Sequence, residues 1–298
     1  MPELPDLTVY VEHLNRCTQG ETLDAINLVS SFVLRTVAPT TEDLLGRRVL
    51  GWTRLAKQLV CNLEDERFLV VHLMISGRLQ WLAPGKVPPK RNLLAWFAFA
   101  TGSLLFTEAS KKKRASLRLV QGRKALHALD PGGLEPASLS TADFAERLRA
   151  SNHTLKRALT DQRVLAGIGN AYSDEILWRA RLSPYKRPRD MLDQELHALF
   201  RACRTVLDEW TTRLREEAGD RFPARVTAFH DGMAVHGRYR QPCPACGAPV
   251  QHIVYAENES NYCATCQTGG RLLADRSLSR LLKNDWPKRV DELESPAR

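Results

Sequence analysis

Asp130-Pro131-Gly132-Gly133-Leu134-Glu135-Pro136 divides the chain. Two prolines and two glycines in seven residues interrupt any regular element. Before this stretch the apolar residues recur in short β-like runs: Ala25–Val29, Phe32–Thr36, Arg47–Leu55, Gln58–Leu63, Phe68–Met74, Leu93–Phe99, Ser103–Thr107 and Ser116–Val120. Turn-like links such as Glu64-Asp65-Glu66, Ala83-Pro84-Gly85 and Thr101-Gly102 separate them. Many short strands at this spacing predict a sandwich or barrel. One helix precedes them. It is capped by Asp6, carries Leu7, Val11 and Leu14 at helical spacing and stops at Gly20. Beyond the linker the period becomes helical over Ala142–Ala150, Thr154–Thr160, Asn170–Arg181 and about Met191 to Glu217. The expectation is an α+β chain in two domains. Residues 1–130 form a β-sandwich led by a helix, and 131–150 the linker and first helical residues. Residues 151–235 form a helical domain, and 236–298 a cysteine-rich hairpin and tail.

The 298 residues are 43% hydrophobic and 26% charged, as in an ordinary globular protein. A net charge of +9 favours a polyanionic partner. No apolar run approaches the roughly 18 residues of a membrane span. The start of the chain lacks the basic and apolar regions of a signal peptide, so a cytoplasmic protein is expected.

Cys17, Cys61 and Cys203 are scattered and read as buried or idle thiols, whereas Cys243-Pro244-Ala245-Cys246 and Cys263-Ala264-Thr265-Cys266 are two Cys-x-x-Cys knuckles. Sixteen residues lie between them, the spacing of a four-cysteine zinc site. Four thiolates suit tetrahedral Zn²⁺ and leave no open position, so the metal is structural. Two disulfides are the alternative, which a cytoplasmic chain disfavours. Val250–Tyr255 and Asn261–Tyr262 are the expected arms of the hairpin that the metal pins.

Leu165-Ala166-Gly167-Ile168-Gly169-Asn170 is a glycine turn ahead of a helix starting at about Asn170. Such a turn offers backbone N–H groups to an anion, and Asn170 adds a side-chain donor. A packing corner between two helices explains it equally well. Lys111-Lys112-Lys113-Arg114 reads either as a solvated loop or, in so basic a chain, as a phosphate-facing one.

Met1-Pro2-Glu3-Leu4-Pro5-Asp6 admits two readings. In the plain one, Pro2 follows a start codon and the rest caps a helix. In the other, loss of Met1 leaves a secondary amine on Pro2 beside the Glu3 carboxylate. An α-amine titrates near 8, so much of it is nucleophilic at neutral pH. Its attack on a sugar C1′ gives an iminium, an electron sink, and the carboxylate moves protons.

Pro2-Glu3-Leu4-Pro5, Lys57 after a strand, the Leu165–Glu175 turn and the four-cysteine hairpin occur here in one order. In this the chain resembles the formamidopyrimidine-DNA glycosylase/endonuclease VIII family over essentially its full length. The resemblance implies a bifunctional DNA glycosylase and abasic-site lyase of base-excision repair, acting by base removal and β- or β,δ-elimination. It implies Pro2 as nucleophile, Glu3 as acid/base and Lys57 as a phosphate contact that supports catalysis. Asn170 becomes the asparagine of a helix-two-turn-helix that grips the backbone, and Lys156 a lysine near the flipped nucleotide. Gly237-Arg238 forms a loop entering the zinc hairpin. Cys243, Cys246, Cys263 and Cys266 hold one Zn²⁺. The charge run, not the resemblance, makes Lys111 and Lys112 candidates for DNA contact, and Ile75 stands where the family has a void-filling methionine. The implied partner is damaged double-stranded DNA, bound by a bacterial, nucleoid-associated monomer.

The sequence departs from the family pattern at several points. In His72-Leu73-Met74-Ile75-Ser76-Gly77, Ile75 or Met74 must fill the void. Ala109-Ser110-Lys111-Lys112-Lys113-Arg114 replaces an arginine-phenylalanine wedge, Asn258 stands where an arginine is usual, and Asp6 where a glutamate is usual. These changes touch lesion sensing and DNA grip but leave Pro2, Glu3 and Lys57 in place. Two competing readings are a damaged-DNA-binding paralogue without turnover and a helix-hairpin-helix glycosylase using an internal lysine. The β-rich first half opposes the latter.

Overall fold

The structure is a computed structural model of the chain, describing residues 1–223, 226–227, 229–255, 258–274, 280–281 and 287–293, with only the backbone at 255, 258 and 293. It divides into two compact units. One is Met1–Gly132 with Glu209–Ala228, and the other is Gly133–Asp208 with Phe229–Arg298. No helix among the described residues is long and apolar enough to cross a membrane.

The first unit begins with α1, Leu4–Thr18. Its N-cap is Glu3, not Asp6. The Asp6 carboxylate accepts the Glu3 backbone N–H at 2.8 Å, and the Glu3 side chain accepts the backbone N–H of Asp6. This reciprocal box satisfies two N–H groups that a helix start leaves open. Pro5 fits in the first turn, where its missing N–H costs nothing. Leu7, Tyr10 and Leu14 form the buried face of α1.

Eight strands follow: β1 (Ala25–Leu28), β2 (Val49–Leu55), β3 (Gln58–Leu63), β4 (Arg67–His72), β5 (Gly77–Leu82), β6 (Leu93–Phe99), β7 (Gly102–Glu108) and β8 (Ser116–Gln121). They form two antiparallel four-stranded sheets, ordered β1-β6-β7-β5 and β2-β3-β4-β8. One core joins the sheets and α1, with Leu59, Val71 and Leu117 from one sheet and Phe97, Leu104 and Phe106 from the other. The second sheet is covered on its other face too. There Val60, Phe68, Val70 and Val120 pack against Leu126 and Leu129. Burial on both faces explains why β3 and β4 read as continuous apolar runs rather than alternating ones.

Two expectations fail locally. Phe32–Thr36 is not a strand. Ser31–Val33 is a single 3₁₀ turn, with Phe32 80% exposed and only Val33 buried. β5 was unforeseen, because Arg78 and Gln80 alternate with Leu79 along a half-polar edge. Residues 209–223 and 226–227 also belong with the sandwich. Arg215 bonds Glu12 of α1 through Nε and Nη2 at 2.6–3.0 Å. The Phe222 ring lies 5.8 Å from that of Tyr10, and Val226 is in the core.

The second unit contains α3 (Thr141–Arg149), α4 (Leu155–Thr160), α5 (Asn170–Arg179) and the first part of α6 (Asp193–Ala218). The turn between α4 and α5 is closed by Gln162, which donates to the carbonyls of Thr160 (2.9 Å) and Ile168 (2.7 Å) and accepts from Gly167 N (2.8 Å). Gly167 has φ +82°, a conformation that favours glycine. Gly133 must also be glycine, since a Cβ there would lie 2.2 Å from the Gln162 carbonyl oxygen. A hairpin of β9 (Gln251–Tyr255) and β10 (Asn258–Tyr262) precedes α7 (Ala264–Thr268). The unforeseen short helix α2 spans Arg123–His127 in the first unit.

Phe106 is fully buried in an interior strand of its sheet. Phe106→Ala should cost about 3–5 kcal/mol. Hydrogen exchange of the β7 amides is then expected to quicken by about two to four orders of magnitude. Unchanged protection would mean the sandwich does not depend on this core.

Candidate active site

The start of α1 gathers the first cluster. Pro2 is buried, and Glu3, Asp6 and Lys57 are 2%, 3% and 8% exposed. Lys57 is the second residue of the two-residue β2–β3 turn, following Ala56 at φ +51°. The terminal amine, here on Met1, faces Glu3, Arg78, Asp6 and Lys57. Burial lowers its pKa below the ordinary 8.0. Glu3 and Asp6 oppose that shift, while Arg78 and Lys57 reinforce it. An amine so placed is more often neutral than a free one, and its neighbours include two carboxylates and two cations. That is the equipment for attack on an electrophilic carbon with proton transfer nearby.

Arg78 escaped the sequence reading along with β5. It also shapes the neighbouring turn by donating to the carbonyls of Ile75 (3.1 Å) and Gly77 (2.7 Å). In that turn Leu73 is buried, Ile75 is 57% exposed and Met74 has φ +52°. His72 accepts the Met74 N–H on Nδ1 at 3.1 Å. Burial, with Arg118 and Lys57, pushes its pKa down to about 4, so it stays a neutral acceptor. The buried carboxylate of Glu108 ties this turn to the basic loop. It accepts from Ser76 Oγ (3.3 Å) and from the backbone N–H groups of Arg114 and Ala115 (3.2 Å each). Lys113 Nζ donates to the Glu108 carbonyl. Lys111 and Lys112 are exposed.

The second cluster lies at α5. Asn170 is its first residue, half-buried, and among the described residues its side-chain amide makes no hydrogen bond. Lys156 points inward. Its Nζ lies 2.6 Å from the Asn170 carbonyl oxygen and 2.5 Å from Asp174 Oδ1, with the side chain 13% exposed. The expected nucleotide-facing lysine is thus occupied within the protein. Asp174 also meets His236 Nδ1 (2.8 Å), Ser260 Oγ (3.2 Å) and Asn261 Nδ2 (3.3 Å). Burial opposes ionisation of Asp174, but Lys156 and His236 outweigh it and hold the carboxyl below the usual range. Glu175 accepts the backbone N–H groups of Ala234, Val235 and His236 at 2.8–2.9 Å. Burial still raises its pKa. The loop these bonds hold leads into Arg238, whose Nε is buried without a partner. Asp174, Glu175 and His236 carried no signal in sequence beyond being polar residues in an apolar stretch.

The Sγ atoms of Cys243, Cys246, Cys263 and Cys266 all lie within 4.8 Å of one another. Thiolates bound to one tetrahedral zinc at about 2.3 Å stand about 3.8 Å apart, so the set fits that ion. Trp178 Nε1 donates to Cys243 Sγ at 3.4 Å, and the Cys266 N–H to Cys263 Sγ at 3.4 Å, giving the outer bonds that orient thiolate ligands. The site holds one structural zinc. The side chain of Asn258 lies outside the described residues.

Three family profiles match. "Formamidopyrimidine-DNA glycosylase N-terminal domain" covers residues 1–130, "Formamidopyrimidine-DNA glycosylase H2TH domain" 132–215 and "Zinc finger found in FPG and IleRS" 240–269. A formamidopyrimidine-DNA glycosylase of Roseiflexus sp. is 34% identical over 284 residues, 90% of this chain and 100% of that one. A Thermus thermophilus protein of the same name is 33% identical over 91% of this chain and 100% of its own. An uncharacterized formamidopyrimidine-DNA glycosylase-like protein of Mycobacterium tuberculosis is 41% identical over 52% of this chain and 95% of its own. Two solved structures share the fold at TM-score 0.79 and 24% identity, over 90% of this chain and 100% of theirs. They are a Lactococcus lactis FPG mutant with Fapy-dG-containing DNA and MutM with carbocyclic 8-oxo-G-containing DNA. The chain belongs to the formamidopyrimidine-DNA glycosylase family, the DNA glycosylases of base-excision repair that also act as abasic-site lyases.

Proposed function

We propose that this DNA glycosylase and abasic-site lyase works through Pro2 on damaged double-stranded DNA, as a monomer. The observation that carries the reading is the partly buried chain start, with the Met1 amine among Glu3, Asp6, Lys57 and Arg78 and Pro2 buried beside it. With Met1 removed, the Pro2 nitrogen takes up that role. A stacked base is out of reach, so the nucleotide must be flipped at a cost of a few kcal/mol. The Pro2 nitrogen then attacks C1′. The C1′–N bond to the base breaks, and the base leaves with its electron pair and takes up a proton. The sugar opens to an iminium on Pro2, with Glu3 as the acid/base for ring opening. Loss of a C2′ proton then expels the 3′ phosphate, which is β-elimination. Lys57 binds phosphate beside the lesion. Ile75 fills the void left by the flipped nucleotide, and its exposure supports this. Lys111, Lys112, Asn170 and Arg238 grip the backbone, while Lys156 acts from within the protein.

Borohydride added to protein and abasic-site DNA should trap a covalent adduct, and mass spectrometry should place it on the N-terminal peptide. An adduct on an internal lysine, or none on any lesion, would overturn the assignment. Glu3→Gln should slow base excision by about 10²–10⁴-fold while still allowing adduct formation on a preformed abasic site.

The amine attacks only when deprotonated, so the trapping rate should rise with pH. Burial lowers the pKa of the Met1 amine at this position, and the same surroundings should act on the Pro2 nitrogen, so the midpoint is expected below that of a short peptide with an N-terminal proline. A midpoint at or above the peptide's in a pH series of trapping rates would remove the case for a desolvated amine.

A further inference from the structure

Asp174 sits one helical turn beyond Asn170, and its side chain has no solvent exposure. Its two oxygens reach three other segments: Lys156 on α4, His236 ahead of the Gly237-Arg238 loop, and Ser260 and Asn261 on β10. Lys156 returns from Asp174 to the Asn170 carbonyl, which closes a ring around the turn that offers Asn170. His236 is 5% exposed and its ring stacks on Phe229 at 5.3 Å. The Arg238 N–H bonds the Val235 carbonyl at 3.1 Å, so the backbone that places Arg238 starts from the residues Asp174 and Glu175 hold.

We propose that Asp174, acting through His236 and Lys156, is a positioning residue for DNA binding. It sets the Arg238 loop and the second strand of the zinc hairpin in register with the Asn170 turn. The inference rests on the reading above, in which Asn170 and Arg238 grip the DNA backbone. Glu175 already ties α5 to residues 234–236 through three backbone N–H groups, and the four thiolates tie the segment after Arg238 to the one after β10. Holding the chain together therefore does not require Asp174. What Asp174 adds is direction, because each partner is bonded at a defined side-chain atom. Without the carboxylate, Lys156 and His236 lose the anion they share, and nothing else among the described residues joins the two.

The test is fluorescence-anisotropy binding to a duplex carrying a reduced abasic-site analogue, as a function of salt, with full-length wild type, Asp174→Asn and His236→Phe. His236→Phe keeps a ring against Phe229 and removes both ring nitrogens, including the Nδ1 bonded to Asp174. Zinc content is measured on each protein, and borohydride trapping at saturating abasic-site DNA gives the active fraction and rate. Asp174→Asn is expected to raise Kd about 10- to 100-fold and His236→Phe about 3- to 10-fold, with zinc kept at about one per chain. The loss should fall on Kd rather than on the rate at saturating DNA. If Arg238 comes off its phosphate, the slope of log K against log salt falls by about 0.9. A purely architectural residue would instead lower the active fraction and leave the slope and the Kd of the active protein unchanged, and that result overturns the proposal. If Asp174→Asn loses zinc, His236→Phe decides alone by the same criteria. Wild type that fails to bind overturns the underlying reading and this proposal with it. Wild-type binding with both variants unchanged overturns this proposal only.

Discussion

The proposed nucleophile, Pro2, stands at the start of the chain and is tethered on one side only, so its position depends on what fixes the next few residues. Here the fixing interaction is the reciprocal box between Glu3 and Asp6. It starts α1 at Leu4, with Glu3 as the N-cap and only Met1 and Pro2 ahead of the cap. The rest of the first unit acts on that helix. Asn15 bonds both the N–H and the carbonyl of Trp52, at 2.6 and 3.2 Å, and Trp52 Nε1 reaches Thr18 at 2.9 Å. The Tyr10 hydroxyl meets the Leu79 backbone at 3.4–3.5 Å. Arg215 pairs with Glu12 on the outer face. A residue with few rotatable bonds, next to a packed helix held from several sides, would have little freedom left to lose in the proposed reaction.

The second unit meets the same need by different means. Its segments are short, and the hairpin offers only a small apolar cluster around Ile253, Tyr262 and Leu272. A small core contributes little by itself, and metal ligation makes up the difference. The zinc fixes Cys243 and Cys246 to Cys263 and Cys266, but it leaves the hairpin to be oriented on the helices. The bonds from Glu175 and Asp174 on α5 supply that orientation.

What could be read from the sequence was local. Each cysteine pair sits within four residues, and the glycine turn and the linker announce themselves by composition. Of the edge strands only the half-polar β5 was missed, and with it went Arg78. Asp174 and His236 stand 62 positions apart, and no periodicity connects them. The resemblance put Lys156 near the flipped nucleotide, and the Asp174 carboxylate that draws it inward is invisible in one dimension. The 26 residues of α6 read as one element, and one element they are. Its last residues nevertheless belong to the sandwich, because Arg215 has its partner on α1.

The polar cluster at Asp174 is not explained by stability alone. Desolvating a carboxylate and an ammonium costs several kcal/mol each, and well-packed apolar residues of similar volume usually do at least as well. Apolar packing, however, is nearly indifferent to small rotations, whereas a carboxylate shared among Lys156, His236, Ser260 and Asn261 is not. Each bond lies between 2.5 and 3.3 Å. A shift of one segment by an ångström would break one of them and leave a buried charge short of a partner, at a cost of about 1–3 kcal/mol or more. The cluster therefore penalises misregistration of α4, α5, the Arg238 loop and the hairpin far more steeply than a greasy core would. Steep penalties against misregistration are what a surface needs when it must match the fixed spacing of phosphates along a strand.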